Sequence, residues 1–363
     1  METLTVLCTG AGAPGAYGII KSWRLGAKHE GRKLKIITAD MNPEAYGFHF
    51  ADKGYTIPPG DSPDFIPKIL EICKKEGPAV LFSWVDPELL PISKSKSRFE
   101  ALGIKVALAD PQAIETGQNK RRCYEFFKKD GIAPEFMFAK SSSEFGKAVK
   151  GLGFPKKPVC FKPSFSYGMR GFRILKPSAS RGEILFKEKP DSAFADFGDV
   201  MQTLKEYEKK SNLPELIVME YLDGKEYTVD MLLEGGRPVI TIPRLRKMTS
   251  RGISTVALLE KNAELIQKAE FVAKKLGLDY NANIQFKYGK SGPKLIEVQP
   301  RLAGTTVACV GAGANLPYLG LKIALGEKIQ APQVKWGTVM KRYWEEVYTD
   351  GKGSWFLKPE LSR

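Results

Sequence analysis

The residues best suited to chemistry lie in one short stretch, Pro293–Arg301. Its apolar residues alternate with Glu297 and Gln299 before a proline stops the run. This pattern predicts a strand end that carries two oxygen-bearing side chains. Carboxylate and amide oxygens suit a hard cation such as Mg²⁺, Gln285 offers a third oxygen from a neighbouring strand, and Arg301 is placed for an anion. A cation beside an arginine indicates nucleotide phosphates, and the alternative is an amphipathic strand with a solvated polar face.

A second stretch, Val159–Arg173, reads as a strand, a Ser/Gly-rich turn and a returning strand. Lys162 stands just before the turn. Backbone N–H groups of such a turn can hold phosphate oxygens while a lysine adds a point charge. The alternative is an ordinary β-hairpin loop with basic surface residues. The candidate contacts in this loop are Ser164, Ser166, Gly168, Arg170 and Gly171.

A third stretch, Leu216–Asp230, predicts an apolar strand that ends at Glu220 and a second strand that starts at Glu226. Tyr221 and Leu222 form the connector between them, followed by a glycine turn. Such a connector can present backbone groups to an adenine edge, while a carboxylate holds the ribose hydroxyls. The alternative is a hairpin with polar tips.

The elements that position these residues begin with alternating strand and helix patterns over residues 1–115. Such alternation predicts a parallel sheet in a doubly wound layer. The expected elements are the strands Leu4–Thr9, Lys35–Asp40, Ala79–Ser83 and Lys105–Leu108 and the helix Ile66–Lys75.

The first strand leads into Gly10–Gly15, a literal GxGxxG, and Asp40 ends the second strand. This arrangement is the dinucleotide-binding fingerprint. It is equally the tight turn that lets a helix pack on a sheet. Binding of NAD at this loop therefore stays open as an alternative function.

Four motifs follow one another along the chain: Lys120 at a helix start, Lys162 before the glycine-rich hairpin, Glu220–Glu226, and Glu297–Arg301. In this order they resemble the ATP-grasp enzymes, and in particular the short group similar to the carbamoyl-phosphate-synthase large subunit. Trp84–Leu89 and Asn283–Lys287 also look like motifs of that group. The resemblance covers roughly residues 1–330.

The resemblance implies an α/β and α+β chain with the ATP-grasp fold and an N-terminal, Rossmann-like, doubly wound preceding domain. The preceding domain is expected at 1–115, the small lid subdomain with the Gly-rich loop at 116–217, and the large subdomain with the Mg/ATP site at 218–332. Residues 333–363 are expected to form a C-terminal tail packed on the body.

The resemblance also implies a role for each motif residue. Lys120 and Lys162 contact ATP phosphates, and the loop Ser164–Gly171 closes over them. Arg301 stabilises the transferring phosphoryl group. The remaining implied contacts are adenine at Glu220, Tyr221 and Leu222, ribose at Glu226, and Mg²⁺ (with Mn²⁺ as the alternative) at Gln285, Glu297 and Gln299. The family strand usually reads Glu-x-Asn, so Gln299 is one methylene longer.

The implied activity is an ATP-dependent carboxylate–amine ligase that forms an acyl phosphate on a small acid or amino acid. A carboxylate or carbamate kinase without ligation is the alternative within this fold. Arg244 and Arg251 lie between the ATP motifs, and our hypothesis is that they bind the substrate carboxylate. A solvated basic loop is the alternative there.

The composition narrows the classes of function that remain possible. Two histidines leave little material for a zinc site or a catalytic triad, and five scattered cysteines without a CxxC pair read as reduced thiols of a cytoplasmic protein. No apolar run approaches the roughly 18 residues of a membrane span, so no membrane partner is expected. The net charge of +15 suits anionic ligands. Binding of RNA is the alternative, and a homodimer stays open.

Overall fold

The computed structural model describes residues 3–164, 170–178, 180–189, 192–250, 252–350 and 353–357. The strands are β1 Leu4–Thr9, β2 Leu34–Asp40, β3 Lys53–Thr56, β4 Val80–Ser83, β5 Lys105–Val106, β6 Phe136–Ala139, β7 Val159–Pro163, β8 Arg173–Leu175, β9 Phe194–Ala195, β10 Leu216–Glu220, β11 Glu226–Glu234, β12 Arg237–Ser250, β13 Ile253–Leu259, β14 Tyr280–Gly289, β15 Gly292–Gln299, β16 Val339–Lys341, β17 Tyr348–Thr349 and β18 Ser354–Trp355. The α-helices are α1 Ala16–His29, α2 Phe65–Glu76, α3 Asp86–Lys94, α4 Lys96–Glu100, α5 Pro111–Gln118, α6 Lys120–Phe127, α7 Ser142–Gly151, α8 Arg181–Lys187, α9 Phe197–Lys209, α10 Ala263–Leu276, α11 Val307–Gly311 and α12 Leu316–Ala324.

The chain forms two compact units. The first contains Met1–Glu115, Tyr227–Ile284 and Gln299–Arg363, and the second contains Thr116–Glu226 and Gln285–Val298. The strands β14 and β15 contribute residues to both units. The domain boundaries expected from the sequence remain a prediction.

The first unit begins with a parallel sheet of order β3-β2-β1-β4-β5. Its inner strands β1, β2 and β4 are buried over at least four successive residues, as expected where helices cover both faces of a doubly wound sheet. Trp23 of α1 is fully buried in this core and donates from Nε1 to the carbonyl of Pro317, 2.9 Å away. The predicted α/β class and the doubly wound N-terminal sheet are confirmed.

A second sheet of the first unit has the order β14-β11-β12-β13-β16, in which Tyr280–Ile284 represent β14. β11, β12, β13 and β16 pair antiparallel. This sheet contains Arg244, and β16 brings the C-terminal segment to its edge. Farther along that segment Phe356 stacks on Phe50, whereas Trp344 is 90% exposed.

The second unit is built on a sheet of order β6-β10-β7-β8-β9, antiparallel except for the β8/β9 pair. Phe145, Phe161 and Leu175 lie in the core on one of its faces. The predicted pairing of β7 with a returning strand is present, and that strand, β8, starts at Arg173. The hairpin β14/β15 contributes residues 285–298 to this unit.

Within the described ranges, none of the helices combines the length and the apolar character needed to cross a bilayer.

Candidate functional site

The glycine-rich loop after β1 uses its own main-chain donors. The N–H groups of Gly10 and Ala11 donate to the carbonyl of Ala39, and that of Gly12 donates to Asp40 Oδ2 at 2.7 Å. The N–H groups farther along the loop donate to carbonyls inside it, namely Ala13 to Gly10 and both Gly15 and Ala16 to Ala13. Since Pro14 has no N–H, no donor between residues 10 and 16 is left for a pyrophosphate.

The same loop is packed too tightly for a ligand to lie against it. A Cβ atom at Gly10 would lie 2.2 Å from Val85, and one at Gly15 would lie 2.3 Å from the Cα of Gly304. The two glycines are therefore needed for close packing of protein on protein. Asp40, which would bind the ribose in a dinucleotide site, accepts from Gly12 and Asn42. The geometry speaks against NAD at this loop.

The segment Trp84–Leu89 holds the end of the first sheet together. Trp84 Nε1 donates to the Gly10 carbonyl at 2.6 Å. Glu88 is 4% exposed and accepts from the hydroxyls of Thr9 and Ser83. The pKa of Glu88 is raised to about 7, mainly by burial and also by the charge of Asp40, while the hydrogen bonds from the two hydroxyls oppose the rise.

Arg301 is held by a carboxylate from this segment. Its Nε donates to Asp86 Oδ1 at 2.6 Å and its Nη2 to Asp86 Oδ2 at 2.9 Å, while Nη1 donates to the Leu302 carbonyl at 3.0 Å. A two-point pair of this kind fixes the plane of a guanidinium. The residue predicted to contact a phosphoryl group is therefore oriented by the start of α3.

Arg244 does not lie in a solvated loop, which was the plain alternative for the basic stretch around it. It is in β12, is 1% exposed, and donates from Nε to Asp230 Oδ2 at 2.9 Å. Its Nη1 is buried and has no partner among the described residues. A buried donor without a partner costs about 1–3 kcal/mol, so Arg244 requires an explanation beyond packing.

In the second unit, α6, β7 and β15 bring three predicted residues together. Asn119 caps α6 by accepting from the N–H of Arg122, so that the helix begins at Lys120. Lys120 Nζ donates to Glu297 Oε1 at 3.0 Å. Lys162 lies close enough to both for their charges to act on it.

Lys162 is the cation of this group that has no carboxylate of its own. It is 7% exposed, and no hydrogen bond or ion pair reaches its Nζ in the part of the chain that the structure describes. The pKa of Lys162 is lowered to about 7, first by burial and then by the charge of Lys120, while the charge of Glu297 opposes the shift. An anion placed here would restore the charged form.

The connector after β10 has main-chain groups to spare. Glu220 uses its N–H on the Glu135 carbonyl, and its carboxylate accepts from the Glu135 N–H at 2.9 Å. Leu222 is buried but makes no main-chain hydrogen bond within the described residues. The main-chain groups of Leu222 are therefore available for the predicted adenine contact, which remains a prediction, and the Glu220 carboxylate joins β10 to the segment before β6. Glu226 starts β11 as expected.

The Gly-rich loop is described only at its ends. Ser164 donates from Oγ to Glu215 Oε1 at 3.0 Å, and Glu215 also pairs with Arg121. Gly171 has a φ of +73°, which a glycine adopts without strain, and the neighbouring Arg170 is exposed. The predicted contacts Ser166, Gly168 and Arg251 lie outside the described residues.

The donor set predicted for a metal is one carboxylate and two amides. Glu297 and Gln285 belong to the second unit and Gln299 to the first. The described residues contain no group of three or more His, Cys, Asp or Glu side chains that could hold a metal on their own. This fits Mg²⁺, which is usually bound by one or two carboxylates together with substrate phosphates and water.

Three contacts of these sites were not predicted. Asp86 lies in the motif Trp84–Leu89, which was singled out without a role, and Glu215 ends a polar turn that carries no pattern. Arg342, after β16, donates from Nη1 to the Pro14 carbonyl and from Nη2 to the Gly304 carbonyl. No sequence signal linked Arg342 to residues 38 and 328 positions away.

Comparison with known proteins agrees with this architecture. Residues 212–346 match the family described as ATP-grasp in the biosynthetic pathway with Ter operon, and residues 22–107 match the PylC-like N-terminal domain. Over 309 residues the chain is 26% identical to the carbamoyl phosphate synthase large chain of Gemmatimonas aurantiaca, which covers 81% of this chain and 26% of that protein. The chain spans less than half the length of the curated relatives it matches.

Two solved structures share the fold. The biotin carboxylase domain of Hydrogenobacter thermophilus 2-oxoglutarate carboxylase, crystallised with MgADP, ADP and bicarbonate, has a TM-score of 0.66 and 18% identity over 98% of this chain and 83% of that one. The N5-carboxyaminoimidazole synthetase of Staphylococcus aureus, complexed with ADP, has a TM-score of 0.66 and 13% identity over 92% of this chain and 80% of that one. Residues 212–346 thus match an ATP-grasp family model, and the chain shares the fold of these two enzymes.

Proposed function

We propose that the protein is an ATP-dependent carboxylate–amine ligase that forms ADP and an acyl phosphate on a small acid. The observation that carries the proposal is Lys162, a buried cation beside the Lys120–Glu297 pair with no carboxylate partner in the described part of the chain. A buried unpaired charge is costly, and nucleotide phosphates are the anions that would offset it. The names of the similar proteins, a carbamoyl phosphate synthase and a synthetase complexed with ADP, support this choice.

The second unit supplies the nucleotide contacts in this proposal. Lys120 and Lys162 bind phosphates, and the connector at Leu222 presents main-chain groups to adenine. Glu226 takes the ribose. Gln285, Glu297 and Gln299 would hold Mg²⁺, or Mn²⁺ in its place, which when bound neutralises charge on the phosphates.

The chemistry follows from what a carboxylate cannot do at neutral pH. Its oxygen is a poor leaving group, so an amine does not displace it. When a carboxylate oxygen bonds to the γ-phosphorus, the bond to the β,γ-bridging oxygen breaks and ADP leaves. The amine nitrogen then bonds to the acyl carbon, and phosphate leaves as the nitrogen loses a proton. Lys162 and Arg301 are the groups suited to stabilising charge on the phosphoryl oxygens.

The test is Mg²⁺-dependent release of ADP with pooled amino acids and small carboxylic acids, with hydroxylamine present to trap an acyl phosphate as a hydroxamate. We expect Glu297→Ala to lower kcat about 10²–10³-fold, because a contact made to the transferring charge is lost. Lys290→Ala, in the exposed turn between β14 and β15, is the matched control and should keep full activity. Near-normal turnover of Glu297→Ala would contradict the assignment.

Omitting hydroxylamine separates ligation from phosphoryl transfer alone. A ligase releases amide product and needs an amine for steady turnover, whereas a carboxylate kinase releases ADP and acyl phosphate without one. The amine and the acid are both small molecules in this proposal. A steep loss of RNA affinity with salt would be the mark of the nucleic-acid alternative.

A further inference from the structure

Arg342 is a half-buried guanidinium whose contacts are with main-chain carbonyl groups. Its Nη1 and Nη2 donate at 2.7 Å to Pro14 and to Gly304, respectively. In the part of the chain that the structure describes, no carboxylate contacts it. A guanidinium has five N–H donors, so three of them remain for another acceptor.

A short hydrogen-bonded turn connects Arg342 with Arg244. The Ala303 N–H donates to Thr306 Oγ1 at 3.0 Å, and Thr306 Oγ1 donates to Asp230 Oδ1 at 2.8 Å. Asp230 accepts in turn from Arg244. Gly304, two residues before Thr306, is the residue that holds Arg342. All of these residues belong to the first unit.

The charges around this turn do not balance. Asp230 is 1% exposed and neutralises Arg244, which leaves Arg342 with carbonyl oxygens only. Burial lowers the pKa of Arg342, Tyr46 opposes this, and the charge of Arg244 lowers it further. Two guanidiniums near one carboxylate leave one positive charge, and an anion bound there would offset its cost.

We propose that Arg342 and Arg244 form a carboxylate-binding subsite beside the turn Gly304–Thr306, and that it holds the non-reacting carboxylate of the acid substrate. This inference rests on the ligase activity proposed above. It makes the substrate a small acid with a second carboxylate, such as a dicarboxylic acid or an acidic amino acid. One excess positive charge matches a carboxylate better than a phosphate, which carries about −1.5 to −2 at pH 7.

A purely structural role of Arg342, as a clamp on the C-terminal segment, would use its N–H groups and not its charge. Arg342→Gln keeps an amide donor and loses the charge, whereas Arg342→Lys keeps the charge on a shorter donor set. A clamp would be weakened in both variants. A carboxylate subsite would be lost in the glutamine variant and partly kept in the lysine variant.

The first experiment measures thermal stabilisation of the full chain by individual amino acids, dicarboxylic acids and their monoamides. We expect dicarboxylates to stabilise the wild type and Arg342→Lys more than their monoamides do, and to leave Arg342→Gln unchanged. The neighbouring variant Lys341→Ala is the control, because this side chain is exposed in β16. Equal stabilisation of Arg342→Gln, or no dicarboxylate effect on the wild type, would overturn the subsite.

Kinetics of ADP release then separate this inference from the ligase activity. In Arg342→Gln we expect the KM for the acid to rise about 10–100-fold, with the KM for ATP nearly unchanged, because a charge-assisted contact to the acid alone is lost. An unchanged KM for the acid would remove the subsite and leave the ligase in place. If acid binding depends on Arg342 but no ADP is released, the subsite stands and the proposed ligase activity is contradicted.

Discussion

Two basic side chains, Lys162 and Arg342, have no carboxylate contact among the residues that the structure describes, although each lies near a paired basic residue. Lys120 is paired with Glu297, and Arg244 is paired with Asp230. Each of these two clusters thus contains one basic residue that is paired with a carboxylate and one that is not. This pattern is the observation on which the proposed nucleotide site and the proposed carboxylate subsite both rest.

At the residue scale, Lys162 predicts proton uptake when nucleotide binds. Its pKa of about 7 means that it is mostly neutral at pH 8, and bound phosphates restore the charged form. Affinity for MgADP should therefore fall as pH rises from 7 to 9. Calorimetry at pH 8 in buffers of different ionisation enthalpy should show nearly one proton taken up.

The matched variants for this prediction are Lys162→Arg and Lys156→Arg. Arginine stays charged, so uptake should vanish in the first, whereas the exposed Lys156 should behave as wild type. The titratable and charged groups that act on Lys162 are Lys120, Cys123, Cys160 and Glu297. If proton uptake persists in Lys162→Arg, the proton is taken up by one of these neighbouring groups and not by Lys162.

Also at the residue scale, Asp86 is predicted to be a positioning residue for Arg301. Asp86→Asn removes the charge that fixes the guanidinium plane, and a displacement of about 1 Å can cost about 10² in rate. We expect kcat to fall about 10–100-fold with the KM for ATP little changed, and Asp86→Glu to recover part of it. Asp61→Asn, an exposed aspartate, is the control. A changed KM with normal kcat would argue for a binding role instead.

At the scale of elements, Glu88 at the end of the first parallel sheet is a buried carboxylic acid that lowers the stability of the folded state. The pKa of Glu88 is raised from 4.5 to about 7, so the folded state holds its proton more tightly than the unfolded state. The destabilisation is absent below about pH 4.5, grows between about pH 4.5 and 7, and is fully developed above pH 7. Glu88→Gln should therefore raise Tm more at pH 8 than at pH 5, with a gain of up to about 3 kcal/mol.

Thermal unfolding of Glu88→Gln and of the exposed-site control Glu44→Gln across this pH range checks the prediction. A glutamine can still accept from Thr9 and Ser83, so the packing at pH 5 should be unchanged. A Tm difference that is the same at pH 5 and pH 8 would mean that protonation of Glu88 is not its source.

The elements that the sequence predicted are those with strong apolar periodicity. β1, β2, β7 and β10 and the helix α2 lie within a residue or two of their expected bounds. β3 is an edge strand with mostly exposed side chains, so no apolar run marks it. α3 contains Pro87 and Pro91. Because proline disfavours a helix interior, the sequence pattern did not predict this helix.

The candidate site was predictable where a motif lies on one element and not where distant elements meet. Glu297 and Lys162 followed from strand ends and residue types. The partner of Arg301 lies 215 positions away, and Arg342 lies 38 positions from Gly304 and 328 from Pro14. Such pairings depend on the packed tertiary structure, which no local pattern contains.

At the scale of the whole molecule, the first unit is assembled from three separate parts of the chain. Its N-terminal sheet reaches a complete core only with residues from the last part, as Leu302, Tyr318 and Leu321 show. The fold is therefore non-local, and closing its long loops precedes the gain from burial.

The contact between Trp23 and Pro317 has a consequence during synthesis. The two residues are 294 positions apart, and a ribosome that adds about 5–20 residues per second needs roughly 15–60 s to bridge them. For that time the face of α1 that later receives α12 stays uncovered on the nascent chain. Over this interval the nascent chain exposes an apolar surface. Chaperones bind such surfaces, and neighbouring nascent chains can aggregate through them.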